Sequence, residues 1–306
     1  MDEGKQPFHI KLEGAGGAAV GTNEQHARLR ALNLGCGQRF HPEWVNLDLN
    51  PASPSVQRWD LRNGLQFAND SFDLVYHSHV LEHFPKKLAG LILRECLRVL
   101  RPEGVIRVVV PDLEEMAREY LGALEKAKKG ILGWGDNYNW IVVELLDQAV
   151  RESPGGSWYA CLRQDPIPNW DFIAHRVGAE AERALAAARA EEIAHKSGQG
   201  RVRAKWAYIL RNPGSVIRNK LAKIVLSEKD FEALQIGRFR RQGEVHQWMY
   251  DGYSLGKLLE ETGFRSPVRC TASESQIGNW LEYGLDNEPD GTAYKPGSLY
   301  MEARKT

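Results

Sequence analysis

Between residues 31 and 112, short apolar runs alternate with Gly- and Pro-bearing breaks and with one amphipathic stretch. ALNL (31–34), WVNLDL (44–49) and SFDLVYHS (71–78) are too short for helices and carry the continuous apolar character of buried strands. KLAGLILRECLRVL (87–100) instead spaces its apolar residues for one helix face and stops at the Pro-Gly turn RPEG. VIRVVVPD (105–112) follows as a β-branched strand. Strands that alternate with helices must run largely parallel, because each crossover returns the chain to the same edge. An α/β domain with a mostly parallel sheet and helices on both faces is therefore expected.

The pattern changes after Leu113, where helical segments dominate up to Gly243, including GAEAERALAAARAEEIAHK (178–196). Sheet-type signals then return: a helix over 254–262, a strand at SPVRC, and a last strand over 298–305. The expected organisation is an N-terminal extension (1–30), an α/β domain (31–113 and 244–306) and a helical insertion or cap (114–243) that selects the acceptor. About 130 residues is more than a connection needs.

Charge is balanced, with 40 basic and 40 acidic residues, so bulk electrostatics select no nucleic acid, membrane or acidic partner. The longest apolar runs are too short to cross a bilayer. The first residues, MDEGKQPFHIKLEG, lack the basic start and apolar core of a secretory signal. Cys36, Cys96, Cys161 and Cys270 are scattered, with no CxxC pair, which suits a reducing compartment. A cytoplasmic protein is expected.

The segment LNLGCGQRFHPEWVNLD (32–48) carries the first chemical signal. Gly35 and Gly37 follow a strand, where the lack of a Cβ lets backbone approach a ligand. No Gly-Lys-Ser/Thr follows, so this is not a phosphate-binding P-loop. The third glycine of a dinucleotide fingerprint is also missing, Phe40 standing in its place. Asp48 ends the next strand, where a carboxylate can accept from both hydroxyls of a ribose. A nucleoside without a pyrophosphate suits that order of features.

LNLGCG, VNLD, WDLRNGLQFANDSFDLVYHSHVLEHF and ECLRVLRPEGVIRVVVPD, in that order, resemble the successive motifs of class I S-adenosylmethionine-dependent methyltransferases. The type-11 branch is the most similar, particularly members associated with bacterial polysaccharide biosynthesis. The resemblance covers 31–113 strongly and 244–306 weakly. It implies a Rossmann-like fold, S-adenosylmethionine as cofactor and S-adenosylhomocysteine as product. It implies that Gly35, Cys36 and Gly37 pass under the methionine part, and that Asp48 holds the ribose. Asp60 and Leu61 would flank the adenine, the carboxylate accepting from its amino group, and His77 would touch the methionine end through backbone. The short stretch from Gly37 to Val45 leaves room for a first helix of one or two turns.

His-Val-Leu-Glu-His at 79–83 also matches the H-x-x-E-H pattern of inverted zinc peptidases, in which His79 and His83 share a metal and Glu82 is the base. The match begins directly after a strand, Pro85 interrupts any helix, and no third ligand is marked downstream. No other metal constellation stands at clear spacing, so no metal is expected. Methyl transfer to a hydroxyl needs a base, and histidine suits neutral pH. His79, His246 in EVHQWMYD and Asp112 are the candidates, with His83 as readily a buried structural residue.

Within the insertion, 198–227 holds seven Lys or Arg and no acid, interleaved with Trp206, Tyr208, Ile209, Leu210, Val216, Ile217 and Leu221. Its plain reading is a pair of amphipathic helices with a solvated basic face. The sharper ones are an anionic acceptor or contact with an anionic membrane surface. No nucleic-acid signature accompanies it. WGDNYNW (134–140), Trp158, Tyr159, Trp170, Trp248 and Tyr250 suit either core packing or the apolar face of a sugar. The expected reaction is O-methylation of a saccharide or saccharide-linked acceptor. The alternatives are another small-molecule or natural-product methyltransferase, and a catalytically silent scaffold that keeps the cofactor fold.

Overall fold

The computed structural model describes residues 29–197 and 213–306. Nearly all of the N-terminal extension, 1–28, and the basic stretch through 212, with Trp206, Tyr208, Ile209 and Leu210, lie outside the described residues.

Seven strands form one sheet in the order β3-β2-β1-β4-β5-β7-β6. They are β1 (Ala31–Leu34), β2 (Val45–Asp48), β3 (Gln57–Arg58), β4 (Phe72–Ser78), β5 (Leu100–Pro111), β6 (Arg265–Cys270) and β7 (Ser298–Arg304). Pairings from β3 through β5 are parallel, and β7 runs antiparallel to both β5 and β6. Strand order reverses between β1 and β4, the switch point outside which α/β sheets open a crevice at their carboxyl ends.

The helices are α1 (Lys86–Val99), α2 (Leu113–Lys128), α3 (Trp134–Val150), α4 (Gly156–Leu162), α5 (Trp170–Val177), α6 (Ala179–Ser197), α7 (Pro213–Val225), α8 (Glu228–Arg240) and α9 (Gly252–Glu261). α1 buries Ala89, Ile92, Leu93, Cys96 and Val99, a spacing that keeps one face on the sheet. α9 starts at a reciprocal cap between Asp251 and Ser254 and turns Leu255, Leu258 and Leu259 to the same core. Among the described residues no helix is long and apolar enough to cross a membrane. α7 leaves Ile217, Leu221, Ile224 and Val225 exposed beside its basic residues.

Two local readings need correction. No helix of one or two turns follows β1: the chain makes only turns between Gly35 and Val45. Gly35 and Gly37 take positive φ of 60° and 54°, and the Cys36 N–H donates to the Leu47 carbonyl at 3.2 Å, folding the chain straight back onto β2. The turn read at RPEG lies inside β5. Phe72 pairs with Leu100 and Leu74 with Val105, so residues 101–104 bulge out while the strand continues.

The second sheet face, packed with Trp44, Leu74, Tyr76, Ile277, Trp280 and Tyr300, holds a buried charge cluster. Arg107 of β5, fully buried, donates to Asp286 at 2.8 Å and to Glu302 of β7 at 2.6 Å. Its remaining N–H groups donate to the carbonyls of Thr271 and Glu274, and its guanidinium lies over the Trp280 ring. Tyr76 of β4 donates to Asp286 at 2.6 Å. One cation thus ties three neighbouring strands to the segment that covers them. Replacing Arg107 by Ala strands two buried carboxylates and is expected to lower stability by about 3–5 kcal/mol. Urea unfolding measures it, and a loss below about 1 kcal/mol would show the cluster is not needed.

Candidate active site

Four loops meet at the carboxyl ends of β1, β2 and β4 and enclose a cavity of about 390 Å³. Ligand pockets run from about 300 to 1,000 Å³. Gly35, Asp48, Asn50, Asp60, Leu61, Arg62, His79, His83, Phe84 and Gln247 are among its lining residues. The end of α8 closes it with Arg240, Arg241, Gln242 and Gly243.

Gly35 is held at φ +60° against Val80, and a Cβ placed on it would overlap the Val80 Cγ2 methyl. The glycine lets the loop after β1 lie directly on the loop after β4. Asp48 Oδ2 accepts from the Gly37 N–H at 2.9 Å, and Oδ1 accepts from the Asn50 N–H at 2.7 Å. Each oxygen keeps a lone pair for a ligand. The Asp60 carboxylate is more engaged: it caps the turn Leu61–Asn63 and takes two guanidinium donors of Arg62, which holds its pKa below the ordinary value. An incoming amino group therefore competes with Arg62. Burial, and then the Asp48 charge, pushes the Cys36 thiol up to about 11, so it stays protonated at neutral pH.

His79 sits just past β4 at φ +53°, a conformation that turns its ring out of the strand direction. Its Nε2 lies 2.9 Å from the Ser298 hydroxyl at the start of β7, and its Nδ1 stands 3.3 Å from Glu82 Oε1. Burial, followed by the Lys295 charge, lowers its pKa from the ordinary imidazole value, against the opposing pull of Glu82. A neutral ring at pH 7 is the form a base needs.

A second cavity, of about 270 Å³, shares His79 with the first. Helices α3 to α6 line it through Glu144, Gln148, Trp158, Tyr159, Arg176 and Glu180, with Arg151, Lys295 and Ser298 completing the wall. Its charges are mutually matched. Arg176 donates to Glu115 and Glu144 at 2.7 Å each, Arg151 pairs with Asp147 and Glu244, and Lys295 lies 3.2 Å from Glu180.

Other sequence-read residues lie elsewhere. Asp112 is fully buried and caps α2: Oδ1 accepts from the N–H groups of Glu114 and Glu115, and Oδ2 from Arg269 at 2.5 Å. It caps α2 and lines neither cavity. His246 lines neither cavity. Its ring packs edge-on to His83 with centroids 4.9 Å apart, and burial brings its pKa down to about 3. His77 is buried within β4, both ring nitrogens lacking hydrogen-bond partners among the described residues, and burial lowers it to about 4. Arg62, Gln247, Ser298 and the end of α8 carried no signal in the sequence, since nothing in their spacing marks a shared wall.

Residues 43–108, from just before β2 into β5, match a family model described as "Methyltransferase domain". That stretch, a part of the chain, is similar to a methyltransferase domain. The open crevice at the β1/β4 reversal is where an α/β sheet holds a ligand. No curated protein matches the chain. Among solved structures, the chain aligns with the [4+2]-cyclase SpnF at 20% identity, covering 27% of this chain and 38% of that one, with a TM-score of 0.23. It aligns with an S-adenosylmethionine-dependent methyltransferase from Mesorhizobium loti at 24% identity over 28% and 47% of the two chains, TM-score 0.22. A SAM-dependent methyltransferase from Archaeoglobus fulgidus aligns at 12% identity over 90% and 86%, TM-score 0.36. The chain thus spans less than half the length of the first two.

The two elbow glycines separate strain from contact. Gly37 also has positive φ, yet no described atom lies within 4 Å of a Cβ built there. Gly37→Ala is expected to cost about 1–2 kcal/mol, the strain alone, and Gly35→Ala distinctly more. Unfolding curves of the two variants compare them directly, and equal losses would remove Val80 from the account.

Proposed function

We propose that the chain is an S-adenosylmethionine-dependent O-methyltransferase acting on a saccharide or saccharide-linked acceptor. The observation that carries the reading is His79, which lines both cavities at once. The cavity at the strand reversal takes the cofactor, and the one walled by the helices takes the acceptor.

The residues present fit the cofactor. Gly35 lines the cavity and lets the loop after β1 close onto Val80, with Cys36 and Gly37 continuing the turn beneath the methionine part. Asp48, already oriented by two backbone N–H groups, accepts from the ribose hydroxyls. Leu61 offers an apolar face to the adenine, while Asp60 and Arg62 form its polar edge. The backbone of His77 borders the methionine end. When bound, S-adenosylmethionine supplies an electrophilic methyl group on a sulfonium and leaves as S-adenosylhomocysteine. The protonated Cys36 thiol does not compete for that methyl.

Much of the catalysis in such a transfer is positioning. Glu82 faces Nδ1 of His79 and favours the tautomer with its proton there, which leaves the Nε2 lone pair towards Ser298. An acceptor hydroxyl placed beside Ser298 gives its proton to Nε2 as its oxygen takes the methyl. Trp158 and Tyr159 present aromatic faces for sugar C–H groups, and the paired Arg and Glu side chains provide donors and acceptors for hydroxyls. Because each of these cations already has a carboxylate, the wall suits a neutral polyol better than a multiply charged anion.

Calorimetric titration with S-adenosylmethionine and S-adenosylhomocysteine, followed by methyl-transfer assays on sugar nucleotides and glycans, tests the reading. Asp48→Ala is expected to weaken cofactor binding at least tenfold, about 1.4 kcal/mol, with an unchanged circular dichroism spectrum. Unaltered affinity would remove the ribose assignment. His79→Gln should bind cofactor normally and lose about 10²–10⁴-fold in turnover. Normal turnover in that variant would exclude His79 as the base.

A further inference from the structure

Glu82 is buried to 0% exposure in the turn Leu81–His83; its Oε1 faces His79 Nδ1 at 3.3 Å, and its Oε2 has no hydrogen-bond partner among the described residues. No Lys or Arg ion pair reaches it there; its close neighbours are the ring nitrogens of His79 and His83, at 3.3 and 4.0 Å. A carboxylate taken wholly out of water with one oxygen unpartnered is among the more costly groups a fold can hold, and such groups are normally paired or bound to a metal.

The surroundings supply the rest of a ligand set. His246 comes from the segment after α8, whose backbone is pinned here: the N–H groups of Gln247 and Trp248 both donate to the Glu82 carbonyl, at 2.6 and 3.2 Å. One ligand atom each from Glu82, His83 and His246 fall within 4.8 Å of one another. Ligand bonds of about 2.0–2.2 Å in a tetrahedral site put ligand atoms about 3.4 Å apart, so small side-chain shifts close the set. His83 Nδ1 lies 3.4 Å from the Val245 carbonyl, and a proton held there leaves Nε2 free to coordinate. Metal-ligating histidines are oriented by just such a backbone acceptor.

We infer that Glu82, His83 and His246 form a binding site for a divalent first-row transition ion, joining the end of β4 to the segment that returns from the helical insertion. The set differs from the one suggested by the H-x-x-E-H spacing. His79 is not a ligand here, no helix spans 79–83, and His246, 163 positions beyond His83, replaces it. Two imidazoles and one carboxylate are donors that zinc and its neighbours accept, with a position left open for water. The ion would bind without cofactor or acceptor, so this inference does not rest on the methyl-transfer reading.

The experiment uses the full chain, stripped with a chelator and then titrated with zinc, with cobalt as a second probe for its visible absorption. Bound metal is counted by mass spectrometry. The expected result is one tightly held zinc per chain, a higher melting temperature with zinc, and cobalt bands typical of nitrogen and oxygen ligands at low coordination number. Glu82→Gln and His246→Ala should each lose at least 100-fold in zinc affinity, and His41→Ala should lose none. A folded wild-type chain that binds neither ion above background overturns the site whatever the variants do. So does wild-type zinc affinity in a Glu82→Gln or His246→Ala protein whose circular dichroism matches the parent. Cofactor binding is read separately, and its failure would leave the metal result standing.

Discussion

The contact between Gly35 and Val80 is where the sheet and the site become one problem. A sheet whose strand order reverses between β1 and β4 opens a crevice there, but the two loops must also meet to give it a floor. They meet because residue 35 has no side chain and Val80 occupies the space. From that contact the rest of the loop after β4 is placed: His79 turned out at positive φ, Glu82 turned in, and Gln247 and Trp248 bonded to the Glu82 carbonyl. Both cavities take a wall from the same few residues.

Among the described residues, the buried charges around Arg107 and around Glu82 are met in opposite ways. Around Arg107 each charged oxygen and nitrogen has a partner, and the cluster locks β4, β5 and β7 to the segment over them. Around Glu82, one carboxylate oxygen, the nearby His77 ring and the Tyr250 hydroxyl lack hydrogen-bond partners among the described residues, and the pKa values of His77 and Tyr250 respond to the Glu82 charge. A low-dielectric interior penalises an unmet charge heavily, so the two clusters cannot serve the same purpose. The satisfied one is architecture, and the unsatisfied one stands beside the residue shared by both cavities.

Reading by period succeeded where neighbours in sequence are neighbours in space. The face of α1, the strands β1, β2, β4 and β7, and the glycine-to-aspartate order across 35–48 are local patterns of this kind. Reading failed where local chemistry had more than one outcome. RPEG has the composition of a turn, yet pairing with β4 on both sides carried the strand through it as a bulge. Gly37 to Val45 had room for a turn of helix, but two left-handed glycines and a hydrogen bond to β2 used that length otherwise. Asp112 lies at a strand end, as a catalytic acid often does, and the helix that begins after it claimed its oxygens.

By itself the sequence determined the parallel α/β core, the glycine elbow with its acid, and the run of helices after Leu113, because apolar period and glycine placement act over a few residues. Only the tertiary structure decided which side chains share a wall. His79 and Ser298, or His83 and His246, are separated by long stretches of chain, and no local rule links them. Their meeting depends on how α2 to α8 return the chain to the sheet, a matter of packing and backbone hydrogen bonds rather than of pattern. The functional reading therefore divides at the same point: the cofactor side follows from short-range signals, and the acceptor side and the Glu82 cluster follow from long-range contacts alone.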